Sequence, residues 1–304
     1  GCAFTPIGDV SSGSASWFTG SYVGGFHEIV GLTVETDAEV AGMFGYVGGG
    51  AVIWQVVLVD VSVTTSGAVA GGLIGVVAES DVSQVIYVLT SSVSGTVQAG
   101  RYAGGLLGYT EHSSTLVVWS TSDATVVAGE LTGGLVGVTF GAIAHSSANG
   151  RAGVTRVEDA GVGGLVGYTQ GPVVSSYATT ELVGPEAGDV PLGALAAIVG
   201  EGGTVQASFA LARDGVPDLF GDVYGEDDPA DDVSRMLSAD AFTFATFADA
   251  GWRIVDGWMP FDSSDGIDGD GNTLWGICDG VNDGLPFLLW QVPESERSTL
   301  PAGC

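Results

Sequence analysis

The sequence contains no lysine. Seven arginine residues stand against 36 aspartate and glutamate residues, and the formal net charge is −29. Lysine and arginine supply most of the affinity of proteins for nucleic acid and for anionic membrane surfaces, so this balance argues against both kinds of partner. An acidic surface without lysine is typical of a protein kept soluble in salt or outside the cell. GC-rich codon usage with selection for solubility predicts the same composition.

Proline and long apolar runs are also scarce. Ten prolines among 304 residues exclude a collagen-like or proline-rich chain. The longest apolar candidate, "GAVAGGLIGVVA" over 67–78, is shorter than the ~20 residues that a membrane-spanning helix needs. The chain opens on "GCAFTPIG" with no visible signal peptide, and we therefore expect a mature or excised piece of a longer protein. Without lysine, a phosphate-binding loop is excluded.

The three cysteines are Cys2, Cys278 and Cys304, and none of them forms a Cys-x-x-Cys pair of the kind that binds zinc. Cys278 and Cys304 lie in the same C-terminal region, and we expect one disulfide between them. Cys2 then pairs outside this chain or stays free. Three unpaired thiols are the alternative.

Glycine is abundant, at 51 residues, and much of it belongs to a repeated block. The blocks read "AGMFG", "GGLIG", "GGLLG", "GGLVG", "GGLVG" and "LAAIVG". Their central apolar residues, at successive spacings of 30, 33, 29, 30 and 33 residues, are Met43, Leu73, Leu106, Leu135, Leu165 and Ile198. A near-constant period of this size is typical of a stacked repeat architecture.

The composition of each repeat favours β-structure, because valine, threonine, serine and glycine dominate while lysine is absent and glutamate sparse. A unit of about three short strands cannot bury its own apolar face and must stack on its neighbours. We therefore predict an all-β chain that forms a parallel β-solenoid of about six to seven turns, with a ladder of inward leucines. Six turns at the ~4.8 Å strand spacing give a stack about 30 Å long.

The glycines of the blocks are predicted to be structural. They flank the leucines and either adopt positive φ or allow a close backbone approach at a corner, where a Cβ would clash. The glycine and leucine positions concerned are Gly71, Gly72, Leu73, Gly104, Gly105, Leu106, Gly133, Gly134, Leu135, Gly163, Gly164 and Leu165. The segments after the blocks also share a pattern, an apolar–polar alternation that ends in Ser-x-Ala.

The stretch "GGLVGYTQGPVVSSYATTELVG" resembles the GLUG-type repeat of large bacterial surface proteins. The segment "WFTGSYVGGFHEIVGLTVETDAEVAGMFG" resembles the one that leads into those repeats, and "LWGICDGVNDGLPFLLWQ" belongs to a stretch that resembles their closing segment. The resemblance implies a right-handed parallel β-helix in an adhesin-like or cell-wall-associated protein. Met43 and Ile198 in place of leucine, and a first turn without the family's asparagine-rich turn, are departures from the pattern.

The repeat rhythm stops near position 215. We predict β-solenoid repeats over 1–215, with a leading segment at 1–40 and glycine-rich repeats at 41–215. The remaining segment, 216–304, is predicted to cap the open end of the stack. It is rich in aromatic residues, and "DDVSRMLSADAFTFATFADAGW" predicts a short helix with Asp or Ser as its N-cap. Core packing of the cap is the favoured role of the aromatics, and a platform for sugars is the alternative.

One acidic loop, "DSSDGIDGDGNTLWG", has the ligand types that calcium prefers. It places Asp265, Asp268, Asp270 and Asn272 close together on a glycine-rich segment, and hard oxygen ligands on a flexible loop suit Ca²⁺. Thr273 stands where an EF-hand has glycine, and no glutamate follows at the twelfth position. The loop is therefore a candidate calcium site outside the EF-hand pattern, with a solvated acidic turn as the alternative.

Other polar residues give weaker signals. The acids over 226–232 are interpreted as a solvated loop, with a metal site as the alternative. His27 begins a zinc-protease-like motif, but glycine at position 31 replaces the second histidine. His112 and His145 each follow a glycine block in nearly equivalent turns and are interpreted as corner residues.

These features predict a non-catalytic extracellular module that serves as a stalk or adhesive surface in a bacterial surface protein or filament. The expected partners are other copies or neighbouring domains of a larger surface protein, and cell-surface glycans or proteins; calcium is the candidate cofactor. Gly1-Cys2 and Gly303-Cys304 suggest an array joined through Cys2 and Cys304. The alternatives are a polysaccharide lyase or glycosidase with paired carboxylates, and a Ca²⁺-dependent carbohydrate binder.

Overall fold

The computed structural model divides the chain into two compact units, Gly1–Met236 and Leu237–Cys304. The structure describes residues 4–8, 16–78, 83–110, 112–185, 190–216, 218–225, 228–257, 275–279, 281–292, 294–301 and 304. None of the helices among these residues is long and apolar enough to cross a membrane.

The first unit is a parallel β-solenoid of about seven turns, as the repeat period predicts. Each turn contributes strands to three sheets, and every strand pairs in parallel with the equivalent strand one turn away. We call these sheets the glycine-block face, the second face and the third face, in the order in which the chain visits them within a turn.

The glycine-block face carries two short strands in most turns, one on each side of the glycine pair. The strands before the pair are Val40–Ala41, Val69–Gly71, Tyr102–Gly104, Leu131–Gly133 and Gly161–Gly163. Those after it are Phe44–Val47, Ile74–Val77, Leu107–Thr110, Val136–Thr139 and Val166–Thr169. A single strand, Leu192–Val199, takes both places in the next turn, and Asp218–Val223 pairs with it.

The second face has one short strand in each turn. Its strands are Ser21–Val23, Val52–Trp54, Ile86–Leu89, Thr115–Val118, Ala142–Ala144, Pro172–Val174 and Thr204–Gln206. The third face has longer or divided strands. They are Glu28–Val30, Thr33–Thr36, Val57–Thr65, Ser92–Gln98, Thr121–Ala128, Ser147–Ala148, Arg151–Val154, Tyr177–Ala178, Glu181–Val183, Phe209–Leu211 and Arg235–Leu237.

A ladder of leucines runs through the core of the stack. Its members, all fully buried, are Leu73, Leu106, Leu135, Leu165 and Leu195. The alignment of the last block on Ile198 was wrong. The amide of Leu165 donates to the carbonyl of Leu195 at 2.8 Å, whereas Ile198 pairs with Tyr168. Ala194 and Ala197 replace two of the three block glycines around Leu195, and Gly193 remains, so the sequence pattern hides the true register there.

The block glycines serve close backbone approach rather than positive φ. None of the glycines in the predicted set has a left-handed backbone conformation. A Cβ on Gly133 would overlap the carbonyl oxygen of Val136 and approach the amide of Gly167 in the next turn to 2.6 Å. A Cβ on Gly134 would overlap the carbonyl of Gly164. Of the two reasons expected for these glycines, the structure therefore selects steric clearance between neighbouring turns.

Positive φ occurs instead at the corner between the second and third faces. The non-glycine residues that adopt it there are Phe26, Gln55, Thr90, Trp119, His145, Ser175 and Ala207. Such a conformation is uncommon for residues with a side chain. It recurs here in every turn, which indicates that the following residues hold the corner in place.

A ladder of buried serines follows this corner. Its members are Ser91, Ser120, Ser146, Ser176 and Ser208. The hydroxyl of Ser146 donates to the carbonyl of Ala144 at 2.8 Å and accepts from the amide of Ser120, one turn away, at 3.2 Å. The other serines make the same two bonds, so each corner supplies an acceptor to its neighbour. These are the serines of the repeated Ser-x-Ala pattern in the later turns, for which the sequence indicated no role.

The solenoid extends beyond the position where its sequence rhythm stops. Asp218–Val223 joins the glycine-block face and Arg235–Leu237 joins the third face, so the division between units falls after Met236 rather than at 215. The last strands lack the glycine block, so the spacing of the blocks could not predict them.

The second unit combines short elements around an aromatic cluster. Its described helices and strands are a 3-10 helix at Ala239–Ala241, an α-helix at Phe244–Asp249, strands at Ile254–Asp256, Trp275–Ile277 and Phe287–Leu288, and 3-10 helices at Asn282–Gly284, Leu289–Gln291 and Glu294–Thr299. Thr243 caps the α-helix by accepting from the amide of Thr246, in place of the expected Asp or Ser. A disulfide joins Cys278 to Cys304 with a Cα–Cα distance of 5.5 Å.

Candidate functional site

A continuous apolar column lies on the outer side of the glycine-block face. Parallel pairing places its members in register, one from each successive turn: Tyr46, Val76, Tyr109, Val138, Tyr168 and Ile198. All except Val138 are partly exposed, while the next residue in each strand points into the core. We call this set the tyrosine column.

The tyrosines of the column recur at alternate turns. Tyr46, Tyr109 and Tyr168 are separated by Val76 and Val138. Since neighbouring parallel strands lie ~4.8 Å apart, the tyrosines repeat every ~9.6 Å along the stack. The column is therefore a periodic surface feature with its own spacing.

Further aromatic rings widen the column. Tyr102 stacks on Tyr109 with ring centroids 5.6 Å apart and an interplanar angle of 13°, and Phe140 packs against Tyr168 at 5.7 Å. Burial raises the pKa of Tyr102 and of Tyr168 above the usual value of a phenol, so both hydroxyls stay protonated at neutral pH. They can act as donors and as acceptors.

A charged cluster borders the column. Arg101 lies 3.0 Å from the carboxylate of Glu130, and Arg156 approaches the same carboxylate at 3.4 Å. Arg101 also donates to the hydroxyl of Tyr102 at 3.0 Å and lies over its ring. The cluster thus places planar hydrogen-bonding groups beside an aromatic surface.

A groove of about 320 Å³ lies on the third face. It is lined by Thr125, Val126, Val127, Arg151, Gly153, Val154 and Val183. Arg151 approaches Glu181 at 3.9 Å, with more than half of each side chain exposed. An exposed pair of this kind contributes about 0–1 kcal/mol.

Three acids of the middle turns, Asp123, Glu130 and Glu181, contact amide or arginine side chains. Asp123 accepts from the amide of the Asn149 side chain at 2.8 Å, and the carbonyl of that side chain accepts from Thr179 at 2.9 Å. Glu130 and Glu181 interact with arginines. In the part of the chain that the structure describes, no group of three or more His, Cys, Asp or Glu side chains is placed to hold a metal ion.

The calcium candidates Asp265, Asp268, Asp270 and Asn272 lie outside the described residues, and so does Cys2. Of the acidic run over 226–232, Asp231 has a defined structural place. It accepts from the amide and hydroxyl of Ser234 and from the amide of Ala207. This residue therefore fixes the last turn of the solenoid.

The histidines occupy three different places. His112 is fully buried, and its Nδ1 accepts from the amide of Ser114 at 3.2 Å. His145 lies at the serine corner with positive φ. The two are corner residues, but the interpretation of their turns as equivalent was wrong, because His112 follows the glycine-block face and His145 follows the second face. His27 lies in an exposed turn.

Comparison with known proteins adds a fold relationship. No family model matches the chain, and no curated protein matches it. One solved structure, from Bacteroides ovatus, is described as a "putative immunoglobulin A1 protease". It is similar to this chain with a TM-score of 0.60 and 18% sequence identity over 88% of this chain and 76% of its own. A likeness at this level of identity concerns the fold alone.

Proposed function

We propose that this chain is a non-catalytic extracellular module of a surface protein, in which the solenoid acts as a stiff scaffold and its outer faces bind partners. The observation that carries the proposal is the parallel pairing of successive turns, which keeps its register except at shifts between Val93 and Gly95 and between Gly193 and Ala196. Leucines and serines repeat at equivalent positions inside, and side chains at equivalent positions outside form register columns. The internal contacts hold the turns together, and the outer side chains are the ones available to a partner.

The chemistry of the surface supports a binding role over catalysis. A glycosidase needs two carboxyl groups about 5–9.5 Å apart across the scissile bond. Asp123, Glu130 and Glu181 each interact with an amide or an arginine instead. The disulfide between Cys278 and Cys304 and the net charge of −29 support an extracellular setting, where disulfides persist.

The proposal is tested with the purified chain coupled to beads. We expect the beads to adhere to bacterial or host cell surfaces, and we expect no new reducing ends or unsaturated sugars when the chain is incubated with a panel of polysaccharides. The chain is also incubated with immunoglobulin A1, since the structural neighbour is described as a protease of that protein, and we expect no cleavage. Product formation in either assay, or beads that adhere no better than beads coupled to albumin, would contradict the proposal.

The same beads test the calcium hypothesis for the Asp265, Asp268, Asp270 and Asn272 loop. Adhesion is measured in EDTA and again after Ca²⁺ is restored. Loss and recovery of adhesion in the parent chain, and no response in an Asp268→Asn, Asp270→Asn variant, would assign the metal to this loop. Equal adhesion in both buffers would leave the loop as a solvated turn.

A further inference from the structure

We infer that the tyrosine column, together with Tyr102 and Phe140, binds a neutral, extended polysaccharide chain that runs parallel to the stacking direction of the turns. This inference rests on the proposed function, because it names the partner class and the binding surface of the module.

The composition of the column departs from that of the third face on the same turns. The outer side of the second face also carries an apolar register column, Val52, Tyr87, Leu116 and Ala142, but that column has a single tyrosine, whereas the tyrosine column has one at every second turn. A register column on the outer side of the third face is polar throughout; its members are Ser62, Thr96, Thr125, Arg151 and Glu181. The tyrosine column crosses these turns too, and it is apolar throughout. Contiguous apolar surface on an otherwise acidic protein indicates a binding site.

The spacing of the tyrosines matches an extended ligand better than a compact one. Tyrosine recurs every ~9.6 Å, once in every two turns. In an extended β-linked polysaccharide, every second sugar presents the same face. Sugar rings two units apart can therefore contact successive tyrosines, with their apolar C–H faces against the aromatic rings. The valines between them leave room for the intervening sugars.

Charge separates this ligand from the other partners that an apolar strip could bind. From Tyr46 to Ile198 the column carries no acidic or basic side chain, Asp222 follows Ile198 in register at its end, and the chain has a net charge of −29. A polyanion is repelled by such a protein, and so is a second copy of the chain, which has the same charge. A neutral glycan avoids this repulsion. Arg101, Glu130 and Arg156 at the border offer donors and acceptors to its hydroxyl groups.

The fold supplies substitutions that remove the rings without disturbing the turns. Valine already occupies the column at positions 76 and 138, so Tyr109→Val and Tyr168→Val place a residue that this column accepts. Tyr87→Val is the matched control. Tyr87 is a partly exposed tyrosine on the outer side of the second face, in register with Val52. All three variants are expected to fold, and thermal unfolding of each one checks this before binding is measured.

Binding is measured by calorimetric titration with cellohexaose and by depletion on insoluble cellulose and chitin. We expect the parent chain to bind at least one of these β-linked neutral glycans. The double variant Tyr109→Val, Tyr168→Val should lose about tenfold or more in affinity, because two ring contacts are removed, while Tyr87→Val should bind as the parent does.

Four results would overturn the inference. The first two concern the variants: an equal loss of affinity in the Tyr87→Val control, and an unchanged affinity in the double variant. The other two concern the ligand: tighter binding to polygalacturonate or to amylose than to any of the β-linked neutral glycans, and no binding to any of these glycans. Light scattering that shows a dimer in the parent and a monomer in the double variant would assign the column to self-association instead. Beads that adhere to cells while cellohexaose, cellulose and chitin fail would reject the inference and leave the proposed function intact.

Discussion

The two units of this chain are stabilised in different ways. In the solenoid unit, Gly1–Met236, the same backbone contacts repeat from turn to turn, and the core is a stack of like residues. In the C-terminal unit, Leu237–Cys304, the strands and helices that the structure describes show no such period. Phe242, Phe247, Trp252 and Trp275 form a chain of ring contacts with centroids 4.8 to 5.6 Å apart, and one disulfide closes the end.

The comparison shows how repetition substitutes for size. A 68-residue unit buries too little apolar surface to be strongly stable by itself, so it uses large aromatic side chains and a covalent link. A repeat unit of the solenoid is smaller still, but its neighbours above and below complete its core. Stability in the solenoid therefore depends on close backbone approach between neighbouring turns. Stability in the C-terminal unit depends on a few individual contacts.

The largest effect is expected at a block glycine. In a Gly133→Ala variant the new Cβ would overlap backbone atoms of its own turn and approach those of the next, which cannot move without breaking the register. We expect a loss of about 4 kcal/mol or more, or failure to fold, measured by denaturant unfolding followed by tryptophan fluorescence. Gly202→Ala is the control, since a Cβ there meets nothing within 4 Å and the cost comes only from its φ of +86°. Similar losses in both variants would refute the steric argument.

The next effect is confined to the C-terminal unit. The disulfide closes a loop with a sequence separation of 26. Removing it in a Cys278→Ala, Cys304→Ala variant should cost that unit about 3–4 kcal/mol through the gain in chain entropy of the unfolded state. Hydrogen exchange read separately for the two units should show faster exchange only after Met236. If hydrogen exchange became equally faster in the solenoid unit, the two units would not be stabilised independently of each other.

A smaller loss is expected at the serine corner. Ser146→Ala removes the acceptor for the buried amide of Ser120 and the donor to Ala144, and should cost about 1–3 kcal/mol. Ser62→Ala, on the exposed outer side of the third face, should change the free energy of unfolding by less than about 0.5 kcal/mol. Thermal unfolding of both variants checks the prediction. A Ser146→Ala variant as stable as Ser62→Ala would show that the corner holds without its hydroxyl.

The smallest effect concerns acid at the last turn. Burial pushes the pKa of Asp231 upward, but hydrogen bonds from Ser234 and from the amide of Ala207 outweigh it and hold the pKa below its usual value. Asp231 therefore contributes stability above the pKa of an unfolded aspartate, and this contribution is lost as the pH falls through the lower folded pKa. The residue is largely exposed, so the contribution is expected to be about 1 kcal/mol or less.

The measurement for this group is the free energy of unfolding of the parent chain and of an Asp231→Asn variant between pH 7 and pH 3. The difference between the two should shrink as the solution is acidified. A difference that stays constant over this range would mean that the carboxylate does not titrate differently in the folded and unfolded states.

Much of the internal architecture could be predicted from sequence, because the period of the glycine block is long, regular and repeated. The block around Leu195 shows the limit of this periodicity. Alanines replace glycine around Leu195, and only the pairing of backbone amides reveals which residue continues the ladder. The serine ladder was visible as a repeated Ser-x-Ala, yet its role depends on a hydroxyl reaching the next turn, about 30 residues away in the chain.

The sequence by itself determined that the chain forms a parallel β-solenoid with an aliphatic core. The periodic glycines and leucines require each repeat to bury its apolar face against its neighbours. Only the tertiary structure decided which of the repeated positions face outward and which side chains flank them. Tyr46, Tyr109 and Tyr168 are separated by 63 and 59 residues, and each follows the last glycine of its block. Parallel register places them in one column, because residues at equivalent positions of successive turns lie one strand spacing apart however many residues each turn contains.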